Sequence, residues 1–171
     1  MRNYFKSALW FAAIVFATQY LFIALVPDII FAIAKHRSGK PLNTVIQAPR
    51  TDAKLRRVVL PNPDFVYNAC FYDVSKNDLL ITGLFSDSTQ YSSLAFYGDN
   101  VQPYYVMNNL QGFKQKYSVR LSSVGRENGC IRTPTKQGVV LMRVLVTDSA
   151  QYEKAKQLQS VFKVRLLPQN N

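Results

Sequence analysis

The chain has 171 residues, room for one domain plus an anchor, and 21 Lys and Arg against 10 Asp and Glu give it a net charge of +11. With His36 as its one histidine, and Cys70 and Cys130 forming no CxxC pair, it lacks the parts for a histidine-based nucleophilic triad or a common zinc site. Seven glycines and no glycine-rich loop also exclude a phosphate-cradling motif.

Ser7 to Val26 is twenty residues without a charge. A helix of that length spans about 30 Å, the hydrocarbon thickness of a bilayer. Trp10 and Tyr20 suit the two interfaces, Arg2 and Lys6 the headgroups, and Gln19 is the one strongly polar residue inside. The run is longer than the apolar core of a cleaved signal peptide, and the small-residue triplet Ala32-Ile33-Ala34 lies past its end, so an uncleaved signal-anchor is favoured. Pro27 to Arg37 reads either as a short interfacial helix or as a kinked continuation of the membrane helix. Flanking basic residues, Arg2 and Lys6 before and Lys35, Arg37 and Lys40 after, leave the orientation open. Residues 1–37 are thus tail, transmembrane helix and juxtamembrane segment; 38–54, with Ser38-Gly39-Lys40-Pro41, reads as a linker; 55–168 is the folded domain.

From Leu55 onward, β-prone runs alternate with turn signals. Arg57–Leu60 opens the domain, Pro61-Asn62-Pro63-Asp64 stops it, and strands follow over Phe65–Asp73, Leu79–Phe85, Tyr91–Tyr97 and Tyr104–Met107. Tyr117, Val119 and Leu121 alternate with polar residues, and Cys130–Arg132 is short. In Val139–Val146, Val140, Met142, Val144 and Val146 make the pattern of a central strand. Asp148 with Gln151 three residues on has capping-box spacing, and Tyr152, Ala155, Leu158 and Phe162 share one helical face. Val164–Leu167 fits an edge strand. The fold expected is mainly β with one or two helices (α+β): an antiparallel β-sandwich-like domain behind a single N-terminal transmembrane helix.

Three stretches carry a family resemblance: Val58–Ser75, Tyr91–Tyr97 with Asn108-Asn109 after it, and Thr133–Val146. In order and spacing they resemble an uncharacterised bacterial family, domain of unknown function 1254, over roughly residues 55–160. The resemblance implies a short, membrane-anchored proteobacterial form with its domain in the periplasm. It also implies a partner, a second membrane-anchored β-rich protein resembling the further domain of longer relatives. It brings no known reaction, hence no catalytic residues.

Among candidate sites, Asn62, Asp64 and Tyr67 stand first: Pro61 and Pro63 hold the chain extended and aim an acid and a hydroxyl across a groove, although a rigid turn with satisfied amides explains the same residues. Cys70 and Cys130 read as independent thiols, or as a disulfide in an oxidising compartment. No Asp-x-Asp-x-Asp-Gly loop is present, so no metal or other cofactor is expected. Tyrosines beside dispersed basics, without a dense Lys/Arg run, do not make a nucleic-acid site. The expected role is a binding or assembly module on the lipid bilayer at the cell envelope. A small histidine-independent hydrolase or lyase on Asp64 and Tyr67, or a lipid or envelope-ligand carrier with a deep apolar pocket, are the alternatives.

Overall fold

The computed structural model describes residues 2–49, 62–111, 115–125 and 129–169. Helix α1 runs Arg2–Ser38 and continues through Pro27, which settles the open reading of the juxtamembrane segment in favour of continuation. Pro27 lacks the N–H that would bond the carbonyl of Ile23, a loss that transmembrane helices accommodate. Lys6–Ser38 is long and apolar enough to cross a bilayer, and Trp10, Phe16, Phe22 and Ile23 are each more than 60% exposed.

The last third of α1 differs. Pro27, Ile30, Phe31, Ala34, Lys35 and Ser38 are buried or half-buried while Asp28, Ile29, Ile33, His36 and Arg37 are exposed, the three- and four-residue spacing of a packed stripe. Phe31 meets Phe71 edge-on at 5.8 Å, and Lys35 Nζ donates to Gln137 Oε1 at 3.2 Å.

Nine strands form two sheets. The first has the order β1 (Ile46–Gln47), β2 (Phe65–Asp73), β8 (Gln137–Leu145), β4 (Ser92–Gly98), β5 (Pro103–Asn108). The second has the order β7 (Cys130–Arg132), β6 (Lys116–Ser122), β3 (Asn77–Leu84), β9 (Lys163–Pro168). Every pairing is antiparallel except β6 with β7, which is parallel. β8 is central, as its apolar run predicts, and it pairs with β2 over nine residues, from Phe65↔Leu145 to Asp73↔Gln137. β1 lies inside the stretch expected as a linker. Asn43, at φ 60, ties that stretch down: its N–H donates to Phe71 O at 2.7 Å, and its side-chain amide exchanges two bonds with the backbone of Asp73. The expected opening strand at Arg57–Leu60 lies outside the described residues.

The inner faces of both sheets meet in one core built on Tyr72, Leu79, Ile81, Phe85 and Phe96, all essentially unexposed. Each sheet contributes a tyrosine laid over a glycine on the neighbouring strand: Tyr72 opposite Gly138, and Tyr117 opposite Gly83. A ring over a strand glycine supplies the packing that the glycine lacks. Burial pushes the Tyr72 hydroxyl up to about 12, against hydrogen bonds that pull it down. Burial likewise raises Tyr117, whose hydroxyl has no partner. These side chains pack into one hydrophobic cluster between the two sheets.

Helix α2 (Ser149–Val161) starts where Asp148 predicts. Its carboxylate accepts from Gln151 N at 2.8 Å, while Gln151 Oε1 accepts from Thr147 N, one residue before the cap. Ala155, Leu158 and Phe162 bury the expected face. Gln159 clamps the end of α2 to the first sheet, donating to the carbonyls of Ala48 and Tyr67 and accepting from Asn68 Nδ2.

Candidate functional site

Asn62, Asp64 and Tyr67 are brought together by a turn that opens β2. Asn62 Oδ1 accepts from Asp64 N at 2.9 Å, Asn62 O accepts from Phe65 N, and the Tyr67 hydroxyl accepts from Asn62 N at 3.2 Å. Asp64 O takes Val146 N at 2.7 Å, joining the turn to the end of β8. The Asn62 side chain and the Tyr67 hydroxyl are thus engaged in holding backbone, the arrangement of a rigid turn.

Tyr67 belongs to a second arrangement that sequence spacing does not reveal. Register partners share a face, and Tyr67, Arg143, Ser93 and Asn108 are successive partners across β2, β8, β4 and β5. This polar row lies on the outer face of the first sheet, since the inward set on β8 is Val140, Met142 and Val144. One row along lie Ala69, Leu141, Ala95 and Val106. On the other side lie Phe65 and Leu145, with Tyr91 stacked edge-on to Phe65 at 6.4 Å. Arg143 Nε and Ser93 Oγ are closed off from solvent, and neither has a hydrogen-bond partner. In the sequence Arg143 is a lone cation within the apolar run Val139–Val146, and its neighbours are set by pairing between distant segments.

At the far end of the same face, Gln137 Nε2 donates to Asp73 Oδ2 at 2.8 Å and links it to Lys35 of α1. Burial acts to raise the Asp73 carboxyl, but hydrogen bonds from Ser75 and Gln137 and the Lys35 charge outweigh it, and the group is held below the ordinary 3.8. In the loop between β3 and β4, a hydrogen bond from Lys154, with others from Thr89, holds the exposed Asp87 down at about 2. Both folded values lie below the unfolded one, so the stability these groups add is present above pH 3.8 and is lost as pH falls through their folded values. Asp73→Asn is expected to flatten that acid limb in chemical denaturation measured from pH 6 to pH 2.

Cys70 is buried in β2 of the first sheet, and Cys130 is half-buried in β7 of the second. Burial pushes the Cys70 thiol up to about 12, which makes it an inert core residue. Cys130 borders an open groove of about 360 Å³ between the edge strands β5 and β7, with Tyr104, Tyr105, Ile131 and Arg132. Among the described residues no three His, Cys, Asp or Glu side chains gather as a metal site.

No curated protein matches this chain. A crystal structure of a protein from Vibrio parahaemolyticus is similar, with a TM-score of 0.64 at 12% identity over 85% of this chain and 38% of that one. A putative uncharacterised protein from Burkholderia cenocepacia is matched with a TM-score of 0.49 at 14% identity, over 90% of this chain and 42% of that one. This chain therefore spans well under half the length of either solved protein. The first likeness shows that the fold is shared. The sequence model of one family matches residues 42–166, which takes in β1 to β8, α2 and the first part of β9, and on that match the chain belongs to the family described as "Protein of unknown function (DUF1254)".

Proposed function

We propose that this protein is a single-pass, membrane-anchored binding or assembly module of the bacterial cell envelope. In this reading α1 stays in the inner membrane and the β-rich domain, residues 55–168, lies on the periplasmic side. The observation that carries the reading is the contrast within α1: an exposed apolar stretch up to Leu25, then a packed stripe in which Phe31 and Lys35 grip the outer face of the first sheet. A helix that is bare where lipid would surround it, and docked where it would leave lipid, holds a domain close to the bilayer surface. The net charge of +11 favours acidic headgroups beneath it.

The solved relative from Vibrio parahaemolyticus is more than twice as long as the part matched here. A second membrane-anchored β-rich protein is the partner we propose for this domain. The hydrolase or lyase alternative draws less support, because Asn62 and Tyr67 are occupied in the turn that opens β2. Crosslinking in intact membranes, followed by detergent extraction and capture of the full chain, is expected to recover one such β-rich neighbour. Recovery of this chain alone would contradict the assembly role.

A further inference from the structure

We propose that the row Tyr67, Arg143, Ser93 on the outer face of the first sheet binds the carboxylate of an amphiphile whose hydrocarbon part lies on the flanking apolar rows. This deepens the binding-module reading by naming a ligand class, and it rests on that reading only for access to membrane amphiphiles.

Three observations lead there. First, Arg143 is the only cation among the outward-facing residues of β2, β8, β4 and β5, and it has no carboxylate partner among the described residues. Its Nε is sealed from solvent without a hydrogen bond. An arginine donor left so is costly, and an oxyanion is the group that matches its planar fork. Second, its register partner Ser93 is fully buried, and its hydroxyl is also without a partner. The Tyr67 hydroxyl accepts from Asn62 N, which leaves its own proton to donate. Donors from three adjacent strands therefore converge on one row, while Arg143 as a whole is only half-buried and stays reachable.

Third, the surroundings are wrong for a hydrated inorganic anion. The rows on either side are Phe65, Leu145 and Tyr91, and Ala69, Leu141 and Val106, all apolar or aromatic. A ligand whose charged end meets Arg143 must lie against them. The face runs from Arg143 to Gln137, six residues along β8 or about 20 Å. At that far end the docked turn of α1 stands, so the strip leads from the cationic row toward the helix that enters lipid.

The test uses the full chain in neutral phosphatidylcholine nanodiscs with a diazirine-bearing palmitate, the crosslinked peptides being identified by mass spectrometry. Labelling of residues 137–145 and 91–98 is expected, competed by palmitate but by neither acetate nor hexadecanol. Arg143→Gln should lower it about tenfold, and Ser93→Ala and Arg143→Lys, which keeps the charge but loses the fork, should each lower it less, with circular dichroism reporting the fold of each. Labelling confined to residues 7–26, or unchanged in a folded Arg143→Gln protein, overturns the site. Equal competition by acetate overturns the amphiphile. Failure of the probe to label this face in protein that remains membrane-bound rejects the ligand while leaving the anchored module standing. Protein that never enters the nanodisc rejects the anchored module itself.

Discussion

Gly138→Ala is expected to destabilise the β domain severely. Gly138 sits in the central strand β8, opposite Tyr72 on β2 and Gly98 on β4. A methyl group there would collide with the carbonyl oxygen of Tyr97 and with the hydroxyl end of Tyr72. Neither can yield. Tyr97 O is backbone in a paired strand, and it accepts the Tyr72 hydroxyl at 3.1 Å. Tyr72 is unexposed and also accepts from Tyr104 across 3.0 Å. Relief therefore means opening the β8–β4 ladder or breaking two buried hydrogen bonds, a loss of about 4 kcal/mol or more from a total that is about 5–15 kcal/mol in ordinary domains. Trimming the ring with Tyr72→Leu does not rescue the variant, because the carbonyl remains. Gly83→Ala differs: its collision is with the Tyr117 side chain alone, so Tyr117→Leu is expected to recover part of its loss. Urea denaturation of the four variants separates the two cases.

Arg120→Ala is the second large effect. Arg120 Nε donates to Asp78 Oδ2 at 2.7 Å, and its Nη2 reaches the carbonyl of Pro168 at 3.2 Å, so one side chain on β6 spans β3 to the edge strand β9. The Asp78 side chain is only 3% exposed and its other oxygen has no partner. Removing the arginine strands a carboxylate in the sheet, at about 3–5 kcal/mol. Asp78→Leu with Arg120→Leu removes both charges and is expected to lose far less, since burying an ion pair gains little over packed hydrocarbon. Thermal melts at neutral pH give the comparison, and a double variant as unstable as the single one would contradict the argument.

Much of this fold can be read from local pattern. Phe65–Asp73 is β2 residue for residue, the period-2 alternation of Tyr117, Val119 and Leu121 survives as β6, and Asp148 caps α2, because each signal lies within a few residues of its effect. Features set by distant partners are not legible in that way. Ile46–Gln47 has no apolar run to announce it; the pairing follows from Asn43 reaching across to Asp73. Near the end of α1, Ile29, Ile33 and Phe31 look equally apolar, and only the position of Phe71 selects Phe31 for burial. The parallel pairing of β7 with β6 departs from an all-antiparallel expectation for the same reason: three residues carry too little pattern to fix a direction. The candidate site divides likewise. Asn62, Asp64 and Tyr67 are sequence neighbours and were found together, as a turn. Arg143 and Ser93 stand fifty residues apart in the chain and meet only through register.

The end of α1 is docked on the first sheet, so the decisive measurement asks whether the apolar remainder of α1 holds the chain in a membrane. Membranes holding the full chain, and membranes from cells producing a truncation that begins at Lys40, are washed at alkaline pH and pelleted. The full chain is expected in the pellet and the truncation in the supernatant. Release of both alike, or a mature protein beginning at Lys35, would contradict the account.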